Sequence, residues 1–277
     1  MTNWKRRLLE TAALVQGVSD ESANSESRST YVGRGKGGDR TLAVDRDAES
    51  LIVRELSNAG DLRFVSEERG EFGDKSAELT VIVDPIDGSS NFQRGIPFYC
   101  TSIAVADGPR LEDMKYAVVR NLNSGNAYFA ERGGGATKDG RRMRTSSVFS
   151  LGDAVVGVDL SRASVELDIK LADLISHVKR QVHFGANALE LCFVAEGLTD
   201  SLVDVRGKMR ITDFAAGYLI AKEAGAILTS PDGSPLAPAF NLSERFDFVA
   251  SANGRIHARI LGAIRGGRRR GPSGSRT

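Results

Sequence analysis

Apolar and polar positions alternate along the chain with two different periods. Leu8, Leu9, Ala12, Ala13 and Val15 recur at helical spacing, so residues 4–18 read as an amphipathic helix with one apolar face. Ala48, Leu51, Ile52, Val53 and Leu56 mark a second helix over residues 45–56. The stretch between them, residues 19–39, is rich in Ser, Glu, Asn and Gly and reads as a mobile connection. Residues 79–83 (Leu-Thr-Val-Ile-Val) form a short apolar run, as a buried strand would. Further strands are expected at 101–106, 116–119 and 127–130, the last two joined by the turn Asn123-Ser124-Gly125. The first half is therefore mixed α and antiparallel β.

The character changes after Gly133-Gly134-Gly135 and the polar segment 138–147. A strand is expected at 154–159 and helices at 166–178, 188–196 and 214–224, with short strands at 201–205, 226–228 and 248–250. This pattern places a boundary near Ser147. It separates an N-terminal α+β half (1–147) from a C-terminal α/β half (148–264) and a disordered basic tail (265–277). No internal repeat is evident.

Composition narrows the class. With 277 residues, 41% hydrophobic and 26% charged, the chain has ordinary globular composition and enough material for a large core. No apolar run approaches the roughly 18 residues needed to span a bilayer, and Trp4-Lys5-Arg6-Arg7 is not followed by a secretory h-region. A cytoplasmic protein without a membrane partner is expected. Cys100 and Cys192 each sit in an apolar segment and read as buried free thiols. The net charge of +1 provides no bulk field toward nucleic acid, and the arginines of 265–270 lack the aromatic residues that would stack on bases. The tail reads as a solvated terminus.

The chemistry concentrates in Asp84-Pro85-Ile86-Asp87-Gly88-Ser89-Ser90-Asn91-Phe92. A strand ending at Asp84 and a turn at Asp87-Gly88 into a helix near Ser89 bring two carboxylates together. The amides of Gly88, Ser89 and Ser90 would then be free to donate to an anion, and Gly88 lets it approach. Carboxylates, carbonyls and water are the ligand set of magnesium, whereas His177, His183 and His257 are scattered and favour no zinc site. Two cations about 3.5–4 Å apart need a bridging carboxylate and further acids. Glu67, at the end of a short strand able to pair beside 79–83, and Asp213, read as an N-cap, are the candidates. Taken singly, these features are a turn, a cap and the solvated pair Glu67-Glu68; their joint occurrence is what calls for a site.

Phe64-Val65-Ser66-Glu67-Glu68, the Asp84 to Phe92 motif and Thr212-Asp213-Phe214-Ala215-Ala216-Gly217, in this order, resemble the signatures of the lithium-sensitive inositol monophosphatase and fructose-1,6-bisphosphatase superfamily. Gly37-Gly38-Asp39-Arg40-Thr41-Leu42-Ala43-Val44-Asp45 with Ala48-Glu49, Phe184-Gly185-Ala186-Asn187-Ala188-Leu189-Glu190-Leu191-Cys192, and Asp204-Val205-Arg206-Gly207-Lys208-Met209-Arg210 resemble its archaeal-type bifunctional branch. The resemblance covers roughly residues 39–252. It implies an α/β fold, specifically a layered α/β/α/β/α sandwich with the site between two halves, and a homodimer. It also implies two or three Mg2+ ions, with Mn2+ as a substitute.

Carried over position by position, Glu67, Asp84 and the carbonyl of Ile86 match ligands of one metal, and Asp84, Asp87 and Asp213 those of a second. Glu67 and the Ser89 hydroxyl match the pair that deprotonates the attacking water. Asp45 matches a residue that positions a water or a third ion. Asp87, Gly88, Ser89, Ser90 and Asp213 fall beside the phosphate; Gly185, Ala186, Asn187 and Asp204 fall where relatives meet the sugar or polyol. Arg206 is placed to hold a second phosphate bidentately. Lys179, Arg180, His183, Lys208 and Arg210 read as surface charges able to assist, and Ser161 lies near another substrate-side segment. Residues 29–39 read equally as a lid over the metals and as a plain connection. The implied activity is hydrolysis of fructose 1,6-bisphosphate or inositol 1-phosphate by metal-activated water. A nucleotide 3′-phosphatase or NADP phosphatase is the alternative within the superfamily. A non-catalytic scaffold or RNA-associated regulator is the alternative outside it.

Overall fold

The structure is a computed structural model that describes residues 3–38 and 40–266. The Asn3 side chain accepts from the Arg6 amide at 3.0 Å and so caps α1 (Trp4–Ala23). The hairpin β1 (Tyr31–Arg34) and β2 (Arg40–Leu42) leads into α2 (Ala43–Ser57). There follow β3 (Leu62–Ser66), β4 (Gly70–Gly73), β5 (Leu79–Asp87) and the short α3 (Ser89–Arg94). Then come β6 (Cys100–Ala106), β7 (Met114–Asn121), β8 (Ala127–Glu131), β9 (Gly135–Lys138) and β10 (Arg141–Arg142). The rest comprises β11 (Val155–Val158), α4 (Val165–His177), β12 (Arg180–Val182), α5 (Asn187–Glu196), β13 (Ser201–Met209), α6 (Ala215–Ala224), β14 (Ile227–Thr229), β15 (Phe246–Ser251) and α7 (Gly254–Gly266).

Eight strands form one sheet in the order β10-β9-β8-β7-β6-β5-β3-β4, antiparallel except for β3 beside β5. Five form a second, β12-β11-β13-β15-β14. Successive side chains of a strand point to opposite faces, and here both faces are covered. Val81 and Val83 of β5, Ile103 and Val105 of β6 and Phe129 of β8 pack with Leu8, Val15 and Ile52 of α1 and α2. Their neighbours Ile82, Ala104 and Tyr128 face α5 and α6. Leu202, Phe248 and Ala250 of the second sheet close on α5 and α6 from the far side, while Val203 and Val249 face Leu171, Ile256 and Ile260 of α4 and α7. The result is the expected five-layer α/β/α/β/α sandwich. A helix covered on both sides must be apolar around most of its surface, and α5 and α6 are. Gly217 lets them approach: a Cβ there would lie 2.8 Å from Leu191 Cβ.

Three expectations change. Residues 19–39 are not one mobile connection, because α1 continues to Ala23 with Ser19 buried, and 31–34 pair with 40–42. A helix turn whose outer face carries only Ser, Asp and Glu has the composition of a loop. Tail residues Arg265 and Gly266 belong to α7, whose Ile256, Ile260, Leu261 and Ile264 are buried; the remainder of the tail lies outside the described residues, as does Asp39. Asp213 is not an N-cap, since α6 begins one residue later and is preceded by Phe214. Both cysteines are free and buried, and no helix among the described residues is long and apolar enough to cross a membrane.

Candidate active site

The parallel register sets Ser66 beside Val83, so the next residues, Glu67 and Asp84, emerge side by side at the end of the sheet. In a regular strand Asp84 and Asp87, three residues apart, would face opposite ways. The ladder to β6 contains one extra residue here: Asp84 opposes Ser102 and Asp87 opposes Cys100, two residues along. Both aspartates therefore face the same layer, toward α5 and α6. Asp213, just before α6, completes the group: one carboxylate oxygen each from Glu67, Asp84 and Asp213 lie within 4.8 Å of one another. All four acids are buried.

Burial and mutual repulsion act on these acids together. Burial, followed by the neighbouring carboxylates, raises Asp84 well above its ordinary value. Burial also pushes Glu67 up to about 8 against the pull of Arg210, and Asp87 up to about 8 against the Ala188 amide. Arg210 bonds Glu67 Oε1 through Nη1 at 2.7 Å and Asp213 Oδ2 through Nε at 3.0 Å. Asp84 Oδ1 is buried without a hydrogen-bond partner among the described residues. An unsatisfied carboxylate oxygen amid three other acids is where a cation fits, and an all-oxygen donor set favours a hard divalent ion. The nearest thiol, Cys100, lies 3.7 Å from Asp87 Oδ2 and is held protonated by burial, so it adds no soft ligand.

Gly88 turns the chain between the acids and α3 with φ +91°, a conformation that suits glycine, and a Cβ there would lie 3.1 Å from the Phe98 carbonyl oxygen. Ser89 Oγ is 2.8 Å from the Ile86 carbonyl oxygen and 3.2 Å from Asp45 Oδ1. Asp45 reaches back with Oδ2 to accept from the Leu42 amide at 2.8 Å, and burial raises it to about 7. Ser90 follows on the exposed side of α3. The tip of the β1–β2 hairpin touches the site, because the Gly37 amide donates to the Glu67 carbonyl at 2.8 Å.

The segment 183–187 packs on this turn. The Ala188 amide donates to Asp87 Oδ2 at 2.7 Å, and Asn91 Nδ2 donates to the carbonyls of Phe98 and Phe184 at 2.8 and 2.7 Å. Gly185 is exposed, Ala186 is buried against Gly88, and Asn187 Oδ1 is buried without a partner among the described residues. Arg206 departs from expectation. Nε and Nη2 bond Asp204 at 2.8 and 2.7 Å, Nη2 also meets Asp159 Oδ2 at 2.5 Å, and Nη1 meets the Ser161 carbonyl and hydroxyl at 3.0 and 2.9 Å. All five donors are engaged, so the fork is closed on carboxylates and not open to a second phosphate. Asp204, fully buried, faces Arg206 and not an incoming hydroxyl.

Lys179, Arg180 and Lys208 are exposed or nearly so, as expected. Arg210 and His183 are not surface charges. His183 lies between Glu190 Oε1 at 3.1 Å and Asp159 Oδ1 at 3.4 Å; burial is the largest single influence and lowers its pKa, but the contact with Glu190 and the negative charges of Glu190 and Asp159 together outweigh it and the net shift is upward. Sequence reasoning missed Glu190 and Asp159, and it misread Arg210. An acid inside the apolar run Ala188-Leu189-Glu190-Leu191-Cys192 was the available signal, because a buried acid requires partners.

A family model described as the inositol monophosphatase family matches residues 5–268. A Methanocaldococcus jannaschii protein named fructose-1,6-bisphosphatase/inositol-1-monophosphatase is 34% identical over 226 residues, 82% of this chain and 85% of its own. A Methanococcus maripaludis protein named bifunctional NADP phosphatase/NAD kinase is 29% identical across 86% of this chain and 45% of its own. A solved structure of an inositol monophosphatase–fructose 1,6-bisphosphatase superposes with a TM-score of 0.84 at 30% identity, covering 95% of this chain and all of that one.

Proposed function

The chain belongs to the inositol monophosphatase family, and from that premise we propose that this phosphomonoesterase is Mg2+-dependent and acts on fructose 1,6-bisphosphate and inositol 1-phosphate. The observation that carries the reading is the buried cluster of Glu67, Asp84 and Asp213, with Asp84 Oδ1 unsatisfied among the described residues and Asp87 turned to the same side by the irregularity in β5.

Glu67, Asp84 and the Ile86 carbonyl would hold one ion, and Asp84, Asp87 and Asp213 a second, with Mn2+ able to replace Mg2+. When bound, such ions lower the pKa of a coordinated water and neutralise charge on phosphate oxygens. Glu67 is the base, and Ser89, oriented by Asp45 and the Ile86 carbonyl, holds the water with it. The amides of Gly88, Ser89 and Ser90, with no partner within a first helical turn, cradle the phosphate. Burial of the acids keeps bulk water from competing for these positions. The wall of Gly185, Ala186 and Asn187 meets the alcohol part. With Arg206 locked, a second phosphate is held by another cation or left in solvent, which favours the monoester of a polyol.

The two buried thiols support a reducing compartment such as the cytoplasm. The family resemblance supports a homodimer, which light scattering would test. The deciding experiment is Mg2+-dependent phosphate release from fructose 1,6-bisphosphate, inositol 1-phosphate, 3′-phosphoadenosine 5′-phosphate and NADP, with Asp84→Asn as the blank. Release from the first two, lost in Asp84→Asn, is expected. Turnover of the nucleotides alone would retain the chemistry and overturn the substrate.

A further inference from the structure

The helix that presents the Ala188 amide to Asp87 also carries a buried carboxylate with no part in bond cleavage. Glu190 is 3% exposed. Its Oε1 accepts from the amides of Phe184 at 3.1 Å and Gly185 at 3.0 Å and lies 3.1 Å from His183 Nδ1. From the opposite side Asn91, in the phosphate turn, takes the Phe184 carbonyl. The peptide between 183 and 186 is therefore pinned twice, by its amides to α5 and by a carbonyl to the turn. It also packs on that turn, since a Cβ at Gly88 would lie 3.2 Å from Ala186 Cβ. An ester whose phosphate rests against Gly88 must direct its organic group past a flanking wall, and 183–187 is the wall in contact with the turn.

We propose that Glu190 is a positioning residue that fixes the 183–187 wall against the phosphate turn and thereby sets affinity for the alcohol part of the substrate, leaving the hydrolytic step to other groups. The assignment rests on the phosphatase reading above. A carboxylate suits the task because it only accepts: the two amides converge on one oxygen without a competing donor, and the imidazole of His183 stands 3.1 Å from the same oxygen. The charge contact with His183 continues through Asp159 to Arg206, which ties the wall to β13. The geometry thus makes the wall rigid from both sheets, as a surface that discriminates between alcohols requires.

The test compares wild type, Glu190→Gln and Glu190→Ala on inositol 1-phosphate and on 4-nitrophenyl phosphate, whose leaving group has no hydroxyls to place. For inositol 1-phosphate KM should rise about tenfold or more in Glu190→Ala and less in Glu190→Gln, with kcat nearly unchanged. For 4-nitrophenyl phosphate kcat/KM should stay within about twofold of wild type. Deuterium exchange supplies a readout independent of turnover: peptides covering 183–186 should exchange faster in Glu190→Gln while those covering 84–90 do not. Equal loss of kcat on both esters, or exchange at 183–186 unchanged from wild type, would overturn the proposal. If Glu190→Ala does not fold, the Glu190→Gln exchange and KM values decide. Wild-type hydrolysis of 4-nitrophenyl phosphate reports separately on the phosphatase reading, so the two can fail independently.

Discussion

Gly217→Ala sets helix propensity against packing at the contact that holds the central layer together. In an exposed helix the change would add about 1 kcal/mol of stability, because glycine loses more backbone freedom on folding. Here the new methyl would stand 2.8 Å from both Cβ and Cδ1 of Leu191 and 3.0 Å from the Ala188 carbonyl oxygen. Leu191 Cβ and the Ala188 carbonyl are fixed to the backbone of α5, so no rotamer change relieves the clash. Relief requires α5 and α6 to separate, and both are covered by sheets. Overpacking of this kind costs about 1–3 kcal/mol, and contacts to immobile atoms belong at the upper end. The net expectation is a loss of about 1–2 kcal/mol, or about 2–4 °C in melting temperature for a chain of this length. Activity should fall as well, since α5 carries the Ala188 amide that binds Asp87 and α6 begins two residues after Asp213. Thermal melts of both proteins in saturating Mg2+ measure the first effect and phosphate release the second. A melting temperature raised by the propensity gain would refute the packing argument.

Gly88→Ala should leave a folded protein with activity lower by about a hundredfold, because φ is +91° and the Phe98 carbonyl stands 3.1 Å from the new methyl; near-normal turnover alongside an unchanged circular dichroism spectrum would contradict this. In chelator the buried acids make stability pH-dependent: Glu67 near 8 and Asp45 near 7 keep protons in the folded state that the unfolded chain releases at about pH 4. Folded-state pKa values raised in this way mean that stability falls as pH rises from about 4 to about 8. Mg2+, which favours the ionised carboxylates, should therefore raise the melting temperature more at pH 8 than at pH 5; equal increments would count against the cluster as a cation site. Arg206→Ala leaves Asp204 buried without its counterion and Asp159 with only His183, which should cost about 3–5 kcal/mol, and Arg206→Lys should not restore it because an ammonium cannot reproduce the fork. A denaturant midpoint unchanged in either variant would refute that.

The sequence by itself determined the elements and the chemistry that is local in the chain. Apolar runs in β5 through β8 and the helical spacings of α2, α5 and α6 are direct records of which faces are buried. Asp84 through Ser90 lie close in the chain and carry their own turn, so two acids and a set of amides could be assigned to one motif from spacing, although the irregularity against β6 that turns both acids to one side is visible only in the structure. What the sequence left open was every property that depends on a partner far along the chain. Polar residues 19–23 look like loop until Ser19 is seen to be covered, and Arg265 looks like tail until α7 is seen to run through it. Arg206 and Arg210 are both arginines beside an acidic motif, and no local pattern distinguishes them. Only the tertiary structure decides that one closes on Asp159 and Asp204, whereas the other reaches Glu67 from 143 residues away. The physical reason is that burial fixes backbone periodicity locally, while a charge takes its role from whichever opposite charge the fold brings within about 3 Å, and that distance is set by the packing of the layers.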